Sequence, residues 1–272
     1  WPCLGARHRR APAALIRFAS LGSGSRGNSL VVQSGGAFLL VDFGFSPREA
    51  TRRLERLGCS AQDVTGIFLT HEHDDHAGSA LAAASAWSIP VWCTHGTLRE
   101  LESAGRRTLG VEVRLLSERE AIPQGELEVQ AFTVPHDARE PVQYVFSDGA
   151  NRLGVLTDIG EPTTHVSRML DGCDALVLEC NHDAELLRRS DYPRWLKDRI
   201  GGPLGHLENR AAEDLLASLD RSRLKHVIAA HLSERNNRPD LAREALARAM
   251  GCEMEWIGLA TQDTGFGWRE LR

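Results

Sequence analysis

Short apolar runs in this 272-residue chain repeatedly end on a side chain able to hold a metal ion or move a proton. Gly66-Ile67-Phe68-Leu69-Thr70 leads into His71, Phe132-Thr133-Val134-Pro135 into His136, and Gly154-Val155-Leu156-Thr157 into Asp158. Leu176 to Asn181 leads into His182, and His226-Val227-Ile228-Ala229-Ala230 into His231. A buried strand has no packing reason to finish in this way. In open α/β sheets, sites form beyond the carboxyl ends of strands. A fold that gathers these five ends at one edge would make a single pocket of them.

The densest signal is His71-Glu72-His73-Asp74-Asp75-His76, an H-x-H-x-D-H pattern. Imidazole nitrogens with a carboxylate suit zinc, iron or manganese. A solvated polar turn would account for Asp74 and Asp75, but not for three histidines in six positions. His71 and His73 can face one ion from an extended turn. Asp75 and His76, turning into the next helix, can reach a second. Each ion needs about four ligands, so later strand ends must supply the rest. His136 completes the first set, His231 completes the second, and the two oxygens of Asp158 bridge both.

The remaining patterns describe the scaffold. Leu30 to Gln33 and Ala37 to Val41 flank Ser34-Gly35-Gly36 and read as a hairpin. Pro47 to Leu57 reads as a helix with Ser46 as its N-cap. Asp75 to Ala86, Ala211 to Leu219 and Leu241 to Met250 also read as helices. Ile67 to Thr70, Leu127 to Thr133, Val142 to Ser147, Leu153 to Thr157, Ala175 to Leu178 and Leu224 to Ala230 read as strands. No internal repeat or low-complexity linker interrupts them. The order implies an α/β fold with two sheets and helices outside.

Composition excludes several classes. With 42% hydrophobic and 25% charged residues the chain resembles an ordinary folded protein. No apolar stretch reaches the roughly 18–20 residues needed to cross a bilayer, so no membrane association is expected. A net charge of −5 argues against a nucleic-acid binder that uses its whole surface. It leaves room for a local basic cleft, and Arg188, Arg189, Arg194, Lys197 and Arg199 are the best candidates to grip a backbone. Solvated helix faces account for most other basic groups. Six cysteines without a C-x-x-C pair fit neither a disulfide scaffold nor a thiolate zinc site. They fit reduced thiols in a cytoplasmic protein. Residues 1–15 read as a disordered extension: their basic and apolar residues imitate a signal peptide weakly, interrupted by Pro12 and then Arg17.

Beyond the metal motif the chain resembles the metallo-β-lactamase fold superfamily, in its two-metal hydrolase branch, and within it the YycJ (WalJ) type. The matching stretches are Ser23 to Ser29, Leu40-Val41-Asp42-Phe43-Gly44, Thr70 to Gly78, Thr157-Asp158-Ile159-Gly160 and Glu179 to Asp183. They continue in Gly205 to Asn209 and His231 to Asn237. The resemblance implies a four-layer αβ/βα sandwich of metallo-β-lactamase type, with two mixed sheets and outer helices, as one domain over residues 16–272. It also implies a dinuclear metal-dependent hydrolase with two divalent ions, Zn2+ or Mn2+, and DNA exonuclease activity attributed to that type. His71, His73 and His136 carry over to the first metal site, Asp75, His76 and His231 to the second, and Asp158 to the bridge. The aspartate at 158 replaces the cysteine of common zinc β-lactamases, which weighs against antibiotic hydrolysis. The 73 positions from Asp158 to His231 leave little room for a β-CASP insertion.

Asp75, His206 and His182 are the candidate catalytic residues. His206 in Gly205-His206-Leu207 resembles the histidine of ribonuclease Z that faces the scissile phosphate, and would act as a general acid or phosphate contact. His182 would orient a ligand, contact substrate or support the fold. Asp42 reads as support behind the site, and the Ser23 to Ser29 loop as a tight connection or as part of the rim near Arg26 and Asn28. The leading expectation is a phosphodiesterase or nuclease using a metal-bridging hydroxide, with nucleic acid, DNA before RNA, as substrate. The alternatives are a thioester hydrolase of glyoxalase II type and a non-catalytic metal-binding regulatory module.

Overall fold

Most strands are buried along nearly their whole length, and in the computed structural model, which describes residues 15–272, successive side chains along a strand go to two kinds of core. The extension expected over residues 1–15 lies, apart from Leu15, outside the described residues. The first sheet takes β1 (Ile16–Gly22), β2 (Ser29–Ser34), β3 (Ala37–Val41), β4 (Gly66–Phe68), β5 (Val91–Cys93) and β6 (Val113–Leu115). The second takes β7 (Ile122–Gln124), β8 (Leu127–Thr133), β9 (Val142–Ser147), β10 (Arg152–Leu156), β11 (Ala175–Glu179), β12 (His226–Ala230) and β13 (Gly258–Leu259). The last strand, β14 (Phe266–Leu271), returns to the first sheet, whose order is β14-β1-β2-β3-β4-β5-β6. The second sheet runs β13-β12-β11-β10-β9-β8-β7. Both are mixed: β3 to β6 and β10 to β13 pair in parallel, and the rest antiparallel.

Between the sheets lie Phe18, Val32, Leu39, Val41 and Phe68 from one side, and Val129, Tyr144, Phe146, Val155 and Val177 from the other. The opposite faces turn outward to helices. Leu40, Ile67 and Val91 pack against α1 (Pro47–Arg56), α3 (Ala80–Trp87) and α4 (His95–Ser103). Leu156, Leu176 and Val227 pack against α5 (Thr164–Leu170), α8 (Asn209–Ser218) and α9 (Pro239–Met250). Helix on sheet on sheet on helix is the expected four-layer sandwich, and burying both faces of each sheet is what the apolar strands require. The elements α2 (Asp74–Ala77), α6 (Ala184–Arg189) and α7 (Arg194–Ile200) instead sit in the connections near the strand ends.

The hairpin at Ser34 to Gly36 and the Ser46-capped helix form as expected. The helix expected over Asp75 to Ala86 does not. It breaks at Gly78-Ser79 into α2 and α3. The reason is competition for backbone groups. The Asp75 carbonyl accepts from the Asn28 amide at 2.7 Å, the His76 carbonyl accepts from the Phe43 amide, and the Ser79 amide donates to Phe43. Groups that would continue the helix are used to fasten the metal motif to two neighbouring loops.

Candidate metal centre

Parallel strands that end at one edge bring their following residues together, and that edge holds the motif. Three residues just beyond strand ends adopt left-handed backbone: Asp42 after β3 (φ 64°), Asp158 after β10 (φ 52°) and His231 after β12 (φ 53°). Such conformations cost a non-glycine residue of order 1 kcal/mol and persist where the surroundings enforce them. Here they do. The His231 amide donates to Ser23 Oγ at 2.9 Å, and Asn181 Nδ2 donates to the His231 carbonyl at 2.9 Å. The Thr157 amide donates to Gln143 Oε1 at 3.0 Å, and the Gly160 amide reaches across to the Pro135 carbonyl at 2.9 Å, tying the Asp158 and His136 loops together.

The seven expected ligands converge. His71, His73 and His136 form one group able to hold an ion, and Asp75, His76 and His231 form another. Asp158 groups with His71 and His76, and with Glu179, His206 and His231. In the first group His71 Nε2 stands 2.9 Å from His73 Nδ1, which stands 3.4 Å from His136 Nε2. In the second, Asp75 Oδ2 stands 3.4 Å from both His76 Nε2 and His231 Nε2. Asp158 lies between, with Oδ2 3.0 Å from His76 Nε2 and Oδ1 4.0 Å from His136 Nε2.

The outward ring nitrogens are held by other groups. His136 Nδ1 donates to the Gly205 carbonyl at 2.9 Å, and His76 Nδ1 to Asp42 Oδ2 at 2.8 Å. His231 Nδ1 donates to Glu179 Oε1 at 3.1 Å, and His71 Nδ1 meets Thr70 Oγ1 at 2.9 Å. A histidine whose outer nitrogen is so occupied presents its Nε2 inward as a ligand of fixed orientation, the usual arrangement around a bound metal. Asp158 Oδ2 is buried and completes no hydrogen bond. Imidazole nitrogens crowded round a buried carboxylate fit a cation, and without one the cluster must hold protons in its place.

Electrostatics agree. Burial, with His76 beside it, holds His71 well below the ordinary histidine range, and burial likewise lowers His136, so both are neutral donors. Burial opposes charge on His76, but Asp158, Asp75 and Asp42 outweigh it and raise that pKa well above its ordinary value. Burial is likewise outweighed at His231, which Asp158 and Asp75 help push up to about 10. These two rings therefore carry protons at neutral pH where a cation's charge belongs. Metal binding must displace those protons, so one or two should be released per molecule and affinity should rise with pH. Zinc titration by calorimetry in buffers of different ionisation enthalpy measures the release; the same heat in every buffer would refute it.

His206 adjoins this centre without belonging to either histidine-rich group. Its Nδ1 donates to Glu179 Oε1 at 2.9 Å and lies 3.4 Å from Asp158 Oδ1. Burial disfavours its charged form, but the Glu179 hydrogen bond and charge, with Asp158, raise its pKa overall. His73, Asp75, Asp158, His206 and His231 line an open cleft of about 590 Å³ together with Glu72, Asp137 and Arg199. His182 is not among the cleft-lining residues. It is 3% exposed, its Nδ1 has no partner, and burial lowers its pKa to about 4. Four of the five strand-end residues thus meet in the ligand groups, and His182 belongs to none of them. Arg26 is engaged by Glu234 and Asp263, while Asn28 Nδ2 lies 3.0 Å from His76 Nε2.

Sequence reasoning gave Glu179 no role. It is fully buried, and it accepts from His206 and His231 through Oε1 and from the Ile159 and Leu207 amides through Oε2, at 2.8 and 3.2 Å. Burial opposes its ionisation, yet His206 and His231 hold its pKa down to about 2. Its signal was a carboxylate at the end of an apolar strand, overlooked beside His182. Glu179→Gln keeps the shape but cannot accept all four donors. Metal affinity and phosphodiester turnover should each fall about 10–100-fold. Metal titration and bis(p-nitrophenyl) phosphate hydrolysis measure the two effects; values within twofold of the parent would remove Glu179 from the site.

Comparison with known proteins places these features in context. The family described as the beta-lactamase superfamily domain matches residues 38–231, a span that contains all seven ligand candidates. Exodeoxyribonuclease YycJ of Bacillus anthracis is 33% identical over 235 residues, covering 86% of this chain and 89% of that protein. Exodeoxyribonuclease WalJ of Streptococcus pneumoniae is 29% identical over 239 residues, covering 86% and 88%. Among solved structures, the metallo-beta-lactamase fold protein YhfI of Bacillus subtilis shares the fold with a TM-score of 0.72 at 16% identity, covering 94% of this chain and 100% of that one.

Proposed function

Because this chain belongs to the beta-lactamase superfamily, we propose that it is a cytoplasmic exonuclease that hydrolyses phosphodiesters at DNA ends, with residues 16–272 as one hydrolase domain. One observation supports this reading above others. Two adjoining ligand groups open into a cleft that also exposes a carboxylate-held histidine belonging to neither.

His71, His73 and His136 would hold one divalent ion, Asp75, His76 and His231 a second, with Asp158 shared between them. Zinc and manganese both suit such a donor set. Bound divalent cations supply Lewis-acid polarisation of a phosphoryl oxygen and make water acidic enough to ionise near neutral pH. The chain's own residues do the rest. Asp42 and Glu179 fix the rings that face inward. His206, with Nδ1 committed to Glu179, has Nε2 free to give a proton to the departing oxygen. Arg199, on the cleft wall, offers its guanidinium to the backbone. His182, whose carbonyl accepts from the Asn209 amide at 2.9 Å, would support the segment after His206 and would not touch substrate.

The test is a side-by-side assay of the metal-loaded protein on 5′- and 3′-end-labelled single- and double-stranded DNA, the same strands as RNA, and S-acyl glutathione. Stepwise shortening of DNA that stops on chelation is expected. Turnover of the thioester without shortening of DNA would overturn the reading in favour of an acyl hydrolase. Bound metal with no turnover on any substrate would make the protein a binding module.

A further inference from the structure

A tryptophan adjoins the cleft-lining Leu196 in sequence and packs into no core. Trp195, on α7, is 66% exposed, more than any other tryptophan among the described residues. Trp87, Trp92 and Trp268 each pack against a phenylalanine ring, and Trp256 is 41% exposed. Single exposed apolar side chains are ordinary on a surface. The setting of this one is not ordinary. Helix α7 buries none of its residues, so no core demands an indole there.

The helix is fixed beside the centre. Leu196, Arg199 and Ile200 line the metal cleft. The His206 amide donates to the Ile200 carbonyl at 2.8 Å. Gly205 lies so near the Arg199 and Ile200 carbonyls that an added Cβ would stand 2.2 Å from each. Arg199 also pairs with Asp137, next to His136, at 2.6 Å. Trp195 and Arg199 are four residues apart and share one helix face. At 1.5 Å per residue, Trp195 lies about 8 Å along the axis from the turn that touches His206. That is about two base-stacking steps.

Charge identifies the occupant. Residues 188–199 carry five cations, Arg188, Arg189, Arg194, Lys197 and Arg199, against Asp191 and Asp198. The whole chain carries a net −5. The pairs of Arg188 with Glu185 and Arg194 with Asp198 are solvent-exposed, and exposed pairs are weak enough to yield to a phosphate. An exposed aromatic face among cations, continuous with a phosphodiester site, has the chemistry of a single-strand platform.

We propose that Trp195 stacks on a base of a single-stranded DNA end, about two nucleotides from the reacting phosphate, while Arg194 and Arg199 hold the flanking backbone. This rests on the nuclease reading above. A paired base keeps its faces inside the duplex, so the platform selects frayed or single-stranded ends over blunt ones. Stacking accepts any base, which suits an enzyme that shortens strands of every sequence.

The test measures binding of a fluorescent phosphorothioate oligo-dT strand to the metal-loaded protein, beside KM and kcat on the cleavable strand. Trp195→Ala should weaken binding and raise KM about 5- to 100-fold with a smaller change in kcat. Trp195→Phe should restore most of the loss. A strand made abasic over its terminal nucleotides should bind the parent and Trp195→Ala alike. Unchanged affinity in Trp195→Ala, or an equal loss on the abasic strand, would overturn the platform, and DNA shortening by the parent would leave the nuclease reading standing. If the parent shortens no DNA the nuclease reading falls, and the binding arm still decides whether Trp195 stacks.

Discussion

Asp158→Ala will lower phosphodiester turnover on the order of a thousandfold and strip bound metal from the protein. Asp158 is the side chain on which both ligand groups depend. Its Oδ2 lies 3.0 Å from His76 Nε2, and its Oδ1 lies 3.5 Å from His231 Nδ1 and 4.0 Å from His136 Nε2. It is also a leading source of the charge that raises the pKa of His76 and His231. Without it, several imidazoles remain buried together with less negative charge to offset a dication. Lewis-acid stabilisation contributes several kcal/mol to a transition state, and about 4 kcal/mol corresponds to a thousandfold. Alanine at φ 52° adds backbone strain of about 1 kcal/mol, which could lower stability by itself. Asp158→Asn is therefore the companion variant: it keeps the size, tolerates left-handed backbone and removes only the charge. Metal content by mass spectrometry and turnover of bis(p-nitrophenyl) phosphate should fall in both variants. Either variant with its full metal complement and turnover within tenfold of the parent would rule out the bridge.

His206→Ala will separate DNA from an activated ester. The ring touches Glu179 and Asp158, and neither expected metal group depends on it. Its proposed work is proton delivery to the departing oxygen, which a sugar alkoxide needs and a nitrophenolate does not. General acid catalysis contributes typically 10²–10⁴-fold. The loss in kcat on DNA should lie in that range, and the loss on bis(p-nitrophenyl) phosphate should be at least tenfold smaller. Equal losses on the two substrates would make His206 a phosphate contact and not an acid. Single-turnover assays at saturating protein separate chemistry from binding.

The metal motif and the strand ends that complete it were legible because their chemistry is written in local residue types. Three histidines in six positions have no packing use, and His136, Asp158 and His231 each follow an apolar run. The four layers were legible through the resemblance and through apolar runs of strand length. What stayed hidden depends on distance in three dimensions. Glu179 looks like one polar residue at a strand end until His206 and His231, 27 and 52 positions later, close on it. His182 carried the same signature as His231, but it joins none of the ligand groups. The break at Gly78-Ser79 could not be read from an alanine-rich segment with helical pattern. It arises because Asn28 and Phe43 take part in the local hydrogen bonds. Trp195 gave no signal of its own, since exposure and nearness to a cleft are properties of the fold.

The most direct measurement is anomalous diffraction from crystals of the protein loaded with zinc or manganese. Two peaks are expected, one among His71, His73 and His136 and one among Asp75, His76 and His231, with Asp158 touching both. A single peak away from these residues, or none at saturating metal, would contradict the metal centre and the hydrolytic chemistry built on it.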